Sequence, residues 1–118
     1  MIFVKINETL YPAVVNGRVA DNNWDNRPSK AITLEMDYET AINLFVDGLA
    51  WSIVERIDVP TYDEHGVQIG TEIKEFEYDN SNYNLAGDLT NHRDGTITAK
   101  MGKLTELEEA YLIMFGGN

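Results

Sequence analysis

The chain has 118 residues, of which 43% are hydrophobic, and its 9 basic and 20 acidic side chains give a formal charge of −11. That length fits one domain, residues 1–118, able to bury a core without staples. The acidity opposes phosphate backbones and anionic membranes as partners, and the lack of cysteine excludes disulfides, thiolate metal sites and cysteine nucleophiles.

The opening MIFVKINETLYPA carries one lysine and no apolar run of signal-peptide length, and no segment approaches the ~20 apolar residues of a membrane span. Within it, IFVKI alternates Ile2, Val4 and Ile6 against Phe3 and Lys5, a strand pattern that Tyr11-Pro12 breaks. In AVVNGRVA, Asn16-Gly17 stands between short apolar runs and gives the strongest hairpin signal of the chain. The polar run Asp21-Asn22-Asn23 then leads to Trp24 and Asp25-Asn26-Arg27-Pro28, a loop built around an indole. KAITLEM follows, alternating Ile32, Leu34 and Met36 against Thr33 and Glu35 as a strand with one buried face.

Here the period changes. Asp37 is a good N-cap for YETAINLFVDG, where Ala41, Leu44 and Phe45 fall at i, i+3 and i+4, and Gly48 suits C′. The spacing predicts a helix of about three turns. In LAWSIVERIDV, Trp51, Ile53, Ile57 and Val59 share one strand face with Glu55, and Pro60 ends the run as a regular central strand. Asp63-Glu64-His65-Gly66 reads as a turn. In VQIGTEIKEFEYD, Val67, Ile69, Thr71 and Ile73 have one parity and Phe76 and Tyr78 the other, so a bulge near Lys74-Glu75 is expected. A second hairpin runs from NLAGDLT through a turn at 91–95 into TITAKM, with Ile97, Ala99 and Met101 in phase. Thr105 to Glu108 forms a capping box for a last helix with an apolar stripe of Leu107, Ala110, Tyr111 and Met114, stopped by Gly116-Gly117. About seven strands with two helices, one mid-chain and one C-terminal, define an α+β domain with a mostly antiparallel, hairpin-rich sheet.

Chemistry-bearing motifs are scarce. Asp21 to Asp25 begins like a calcium loop, but Asn26 and Ile32 stand where Gly and Glu are needed, so an Asx-rich turn is the better reading. His65 and His92 lie in separate turns without metal-ligand spacing. Ser29, Ser52 and Ser81 lack nucleophile-elbow glycines, and Gly95 to Leu104 does not have phosphate-loop spacing. With 20 acids, a carboxylate pair is the one enzymatic option left open, and Glu55, on an apolar strand face, is the most interesting single acid, able to serve as a general acid in a small hydrolase. It equally suits a strand end, a bulge, an interface or an arginine partner. No catalytic, cofactor or metal residues are assigned.

Aromatic side chains divide into two groups. Phe45, Trp51 and Phe76 match core periodicity, whereas Trp24, Tyr62, Tyr83 and Tyr38 lie in or beside polar loops. Loop aromatics among Asn and Asp can stack on sugars or anchor a protein interface. Trp24 fits either that role or a lid over the open end of the sheet. Trp24, Asp25, Arg27, Tyr62 and Tyr83 are therefore the candidate contacts for a partner or a glycan.

Two stretches carry a resemblance, "NRPSKAITLEMDYETAINLFVDGLAWSIV" and "YDNSNYNLAGDLTNHRDGTITAKMGKLTELEEAYLIMFGG". Through Ser29 to Leu34, Leu44 to Gly48, Trp51 to Ile53, Ala86-Gly87, Arg93 to Thr96 and Met101 to Thr105, the chain resembles small proteins encoded in tail gene modules of prophages from Gram-positive, often gut, bacteria. The resemblance covers roughly residues 25 to 117. It brings no catalytic residues with it and implies a setting, a phage tail or its assembly, with the host cytoplasm as the place of assembly and the virion as a destination. The resulting expectation is a non-enzymatic tail or baseplate component, or assembly accessory, acting on tail proteins or on itself. The alternative is a module that binds host cell-wall glycan.

Overall fold

A computed structural model describes residues 1–116. Seven strands and two helices follow one another along the chain: β1 (Ile2–Ile6), β2 (Thr9–Asp21), β3 (Arg27–Glu35), α1 (Tyr38–Leu44), β4 (Ser52–Tyr62), β5 (Gln68–Asp79), β6 (Leu85–Asn91), β7 (Thr96–Gly102) and α2 (Glu106–Tyr111). A π-helical turn, Leu112–Gly116, continues α2. The strands form one sheet in the order β5-β4-β1-β2-β3-β7-β6, with every neighbouring pair antiparallel. The α+β class and element count match the expectation.

The first hairpin is not where residue type placed it. β1 turns into β2 at Asn7-Glu8, between the paired Ile6 and Thr9, with both turn residues at positive φ, 51° and 67°. That is the geometry of a two-residue hairpin turn, which Asn tolerates and Glu does not favour. Asn16-Gly17 instead lies inside β2, opposite Ala31 and Lys30. An uninterrupted β2 sets Ala13 and Val15 opposite Leu34 and Ile32, and that buried register outweighs the local turn preference. Nor does Pro12 break the strand. It pairs with Phe3 where β2 leaves β1 and takes up β3, a junction at which a missing donor costs little. Replacing Glu8 with glycine is expected to raise stability by about 1 kcal/mol by relieving the positive φ. The check is a higher urea midpoint at unchanged slope; a lower midpoint would contradict the turn assignment.

The core lies on one face of the sheet and joins Val4 and Ile6 of β1, Ile32 and Leu34 of β3, Ile97, Ala99 and Met101 of β7, and Trp51 just before β4. Ala41 and Phe45 close it from α1. Asp37 caps that helix, its carboxylate accepting from the Thr40 amide at 2.7 Å. The helix has seven residues, two turns rather than three, and ends at Phe45. Gly48 is therefore not its C′ residue. At a φ of 87° it carries the exit loop toward β6, donating to the Asn84 carbonyl.

β4 and β5 leave the body of the sheet. β1 pairs β4 only from Ser52 to Glu55, and the Met1 terminus adds contacts at Arg56. From Ile57 to Tyr62, β4 has β5 as its single neighbour, so the hairpin projects as a two-stranded arm of roughly 20 Å. The molecule measures 63 × 38 × 26 Å with a radius of gyration of 18.2 Å, where a compact chain of this length would have about 13–14 Å. Pro60 sits within β4 opposite Thr71, past the end of β1, where an outward N–H would have nothing to bond. No bulge occurs at Lys74-Glu75; the ladder is regular from Asp79 to Gly70 and shifts only between Thr61 and Tyr62. Every residue of β5 is exposed, Phe76 included.

At the C-terminus, Thr105 and Glu108 form the expected capping box. The α-helix is short, however, and its stripe faces solvent at Leu107, Tyr111 and Met114 instead of the core. The expected stop at Gly116-Gly117 runs outside the described residues at Gly117.

Candidate functional site

Asp21 organises the Trp24 loop. Its carbonyl accepts from the amides of Trp24 and Asn26, and its carboxylate accepts from the Asn23 amide at 3.0 Å, an Asx turn. The same fully buried carboxylate meets Lys100 Nζ at 2.8 Å and the Ser29 hydroxyl at 3.2 Å. The Lys100 ammonium, with the Asn23 amide and Ser29 hydroxyl, outweighs desolvation and holds the Asp21 carboxyl below its ordinary value. A loop anchored in this way delivers the half-buried Trp24 indole onto Gly87 and Gly102. A Cβ there would stand 2.8 Å and 2.7 Å from the ring, so only glycine lets the indole lie flat. Arg27 covers the indole from 5.0 Å.

Arg27 is the other half of this lid. Only 5% exposed, it clamps Glu108 through two hydrogen bonds of 2.8 and 3.1 Å and donates to the Lys103 carbonyl. It thereby ties the Trp24 loop to the start of α2. Asp25 lies 3.6 Å from Arg27 and is itself exposed. The Arg27 guanidinium, with the Thr105 amide, depresses the Glu108 pKa from 4.5 to about 2. A depressed carboxyl contributes its stabilisation fully above the unfolded value and loses it as pH falls toward the folded one. Docking of α2 is thus expected to be constant above about pH 5 and to fail between 4.5 and 2. An NMR titration of the α2 amides checks this; a Glu108 midpoint near 4.5 with undisturbed α2 shifts would contradict the clamp.

Tyr83 belongs elsewhere. It packs against the core, its ring lies under Lys30 at 4.7 Å and Lys103 at 5.7 Å, and its carbonyl accepts from Trp51 Nε1. Lys30 also bonds the buried Asn80 side chain, and burial, followed by the charge of Lys103, lowers its pKa. The register separates Tyr83 from Trp24. Lys30 pairs with Met101 on the core face, while Ser29 pairs with Gly102, the seat of Trp24, on the opposite face. Tyr62 is remote from both, exposed on the arm. Of the five candidates, the fold unites Trp24, Asp25 and Arg27 as a lid and scatters the tyrosines. Glu55 is half-buried in mid-strand between Ile2 and Phe76, because α1 covers other parts of the sheet.

Comparisons with family models, curated proteins and solved structures found no match. No helix among the described residues is long and apolar enough to cross a membrane.

The arm is a second candidate, an exposed surface built from two paired strands. Ile57, Tyr62, Val67, Ile69 and Ile73 are each at least 40% exposed on it, as are Phe76 and Tyr78 of β5 at its base, and the outer edge of β5 is unpaired over its length. Lys5 of β1 to Glu77 at 3.3 Å ties its base to the body, and Arg56 to Glu75 at 3.9 Å bridges β4 and β5 across that base. Of this site sequence reasoning reached only Tyr62, although a signal for the rest was present. A strand whose apolar residues change parity without a bulge has no single buried face, which is the pattern of a ribbon in solvent.

Proposed function

We propose that this protein is a non-enzymatic component or assembly accessory of a phage or prophage tail that works by protein–protein contact. The observation that carries the reading is the arm. A long two-stranded projection with exposed Ile, Val, Phe and Tyr side chains and an open edge is costly for a protein that meets no partner, since such edges template association. The sequence resemblance to proteins of prophage tail modules supplies the setting. A glycan platform formed by Trp24 and Tyr83 would need both rings on one surface, and no observation favours it. The test is a tagged pull-down from a host carrying the prophage, before and after induction. Tail proteins captured by the intact chain and lost when the arm is replaced by a tight turn are the expected result. Equal capture without the arm, or none at all, would overturn the reading.

A further inference from the structure

We infer that the arm pairs with the arm of a second copy of this chain, β5 against β5 in antiparallel register about a two-fold axis at Ile73. This rests on the reading of the arm as an assembly surface and names its partner. The two edges of the sheet differ. The β6 edge is blunted, because the Ala86 amide donates to the Asp47 carboxylate at 2.8 Å and the ladder to β7 is broken between Ala86 and Leu89. On β5 such features lie only toward the two ends, the ladder shift between Gly70 and Gln68, Gln68 Nε2 on the Gly70 carbonyl and Asn80 Nδ2 on the Tyr78 carbonyl, and none falls on Thr71–Glu77.

Charge selects the occupant and the register. β5 carries Glu72, Lys74, Glu75, Glu77 and Asp79. Glu75 pairs with Arg56, Glu77 with Lys5, and Asp79 accepts from the Ser81 amide. Among the described residues Glu72 and Lys74 have no ion pair within the chain, and as second neighbours they point to one face. A two-fold axis at Ile73 sets Glu72 opposite Lys74 of the second copy and Lys74 opposite its Glu72. It also pairs Thr71 with Glu75, Ile69 with Glu77, and Gln68 with Tyr78, and it lays Phe76 against Gly70, with no like charges opposed. The neighbouring registers lose this. A one-residue slip toward the C-terminus sets Glu72 opposite Glu75, and a two-fold axis at Lys74 sets Lys74 opposite itself. A one-residue slip toward the N-terminus sets Lys74 opposite Thr71, and an axis at Glu72 sets Glu72 opposite itself. The contact is isologous and closes on itself.

Size-exclusion chromatography with light scattering on the purified full chain tests this at about 0.15 M salt, where the repulsion between two acidic bodies is screened beyond about 8 Å. The wild type is expected to run at twice its 13.3 kDa mass. Lys74→Glu and Glu72→Lys, both at exposed positions, should each weaken the dimer about ten- to a hundredfold by opposing like charges twice. The double exchange, Glu72→Lys with Lys74→Glu, should restore it, and unchanged near-UV circular dichroism would show that all three fold. A wild type monomeric across the accessible concentration range overturns the inference, as does a double variant as weak as the singles. A monomer that still captures tail proteins through its arm would overturn the self-pairing and leave the assembly reading standing.

Discussion

Replacing Trp51 with alanine is expected to lower the stability of the protein by about 4 kcal/mol, the largest effect of any single truncation. The indole is 2% exposed at the meeting point of β1, β7 and α1. Its Nε1 donates to the Tyr83 carbonyl at 2.9 Å, its backbone amide donates to Ser81 Oγ at 3.1 Å, and its carbonyl accepts from the Asn80 amide. One residue thus fills the core and fastens the β5–β6 connection to the base of β4. Alanine removes the ring, leaves a cavity and strands the Tyr83 carbonyl. Phenylalanine keeps most of the apolar volume and forfeits the hydrogen bond, so its cost should be about half as large. Urea denaturation of the two variants measures the difference. A Trp51→Ala variant within about 1 kcal/mol of the wild type would remove this residue from the centre of the fold.

A second large effect is expected from enlarging Gly102. Any Cβ there falls 2.7 Å from the Trp24 ring and 2.8 Å from Arg27 Cδ, and neither neighbour can give way without leaving its seat. Gly102→Val should therefore eject the lid, expose the indole and cost about 3 kcal/mol through overpacking and the loosened Arg27–Glu108 clamp. Its signature is a red-shifted emission that vanishes in a Trp24→Phe background. A cycle separates cause from consequence. If the clash with the indole is the larger part, Trp24→Ala should remove much of the cost of Gly102→Ala and leave the contact with Arg27 Cδ, with a coupling energy above about 1 kcal/mol. Additive effects would mean that Gly102 is needed for some other reason.

Much of the fold was legible in the sequence because it rests on one buried face. The alternation of Ile32 and Leu34, the phase of Ile97, Ala99 and Met101, the cap at Asp37 and the capping box at Thr105 all appear as read. Legibility failed where tertiary pairing outvoted local preference. Asn16-Gly17 is a turn signal until Ala13 and Val15 find Leu34 and Ile32 across a continuous strand, whereas the actual turn uses Glu8, a residue with no turn preference. For the candidate contacts the structure adds a role that residue type does not reveal: Trp24 seats on Gly87 and Gly102, and Arg27 clamps Glu108 within the chain. Composition cannot tell an anchor for a partner from an anchor for one's own loop. The arm was hidden because its exposed apolar residues resemble a core strand one residue at a time, and only the end of β1 at Ile2 shows that nothing covers them.

The outer edge of β5 is the proposed contact surface. Hydrogen exchange read by mass spectrometry, on the free protein and on the protein in its assembled state, tests it most directly. Protection is expected to be gained along Gln68–Asp79 on assembly, with β6 unchanged. Fast exchange throughout β5 in the assembled state would contradict it.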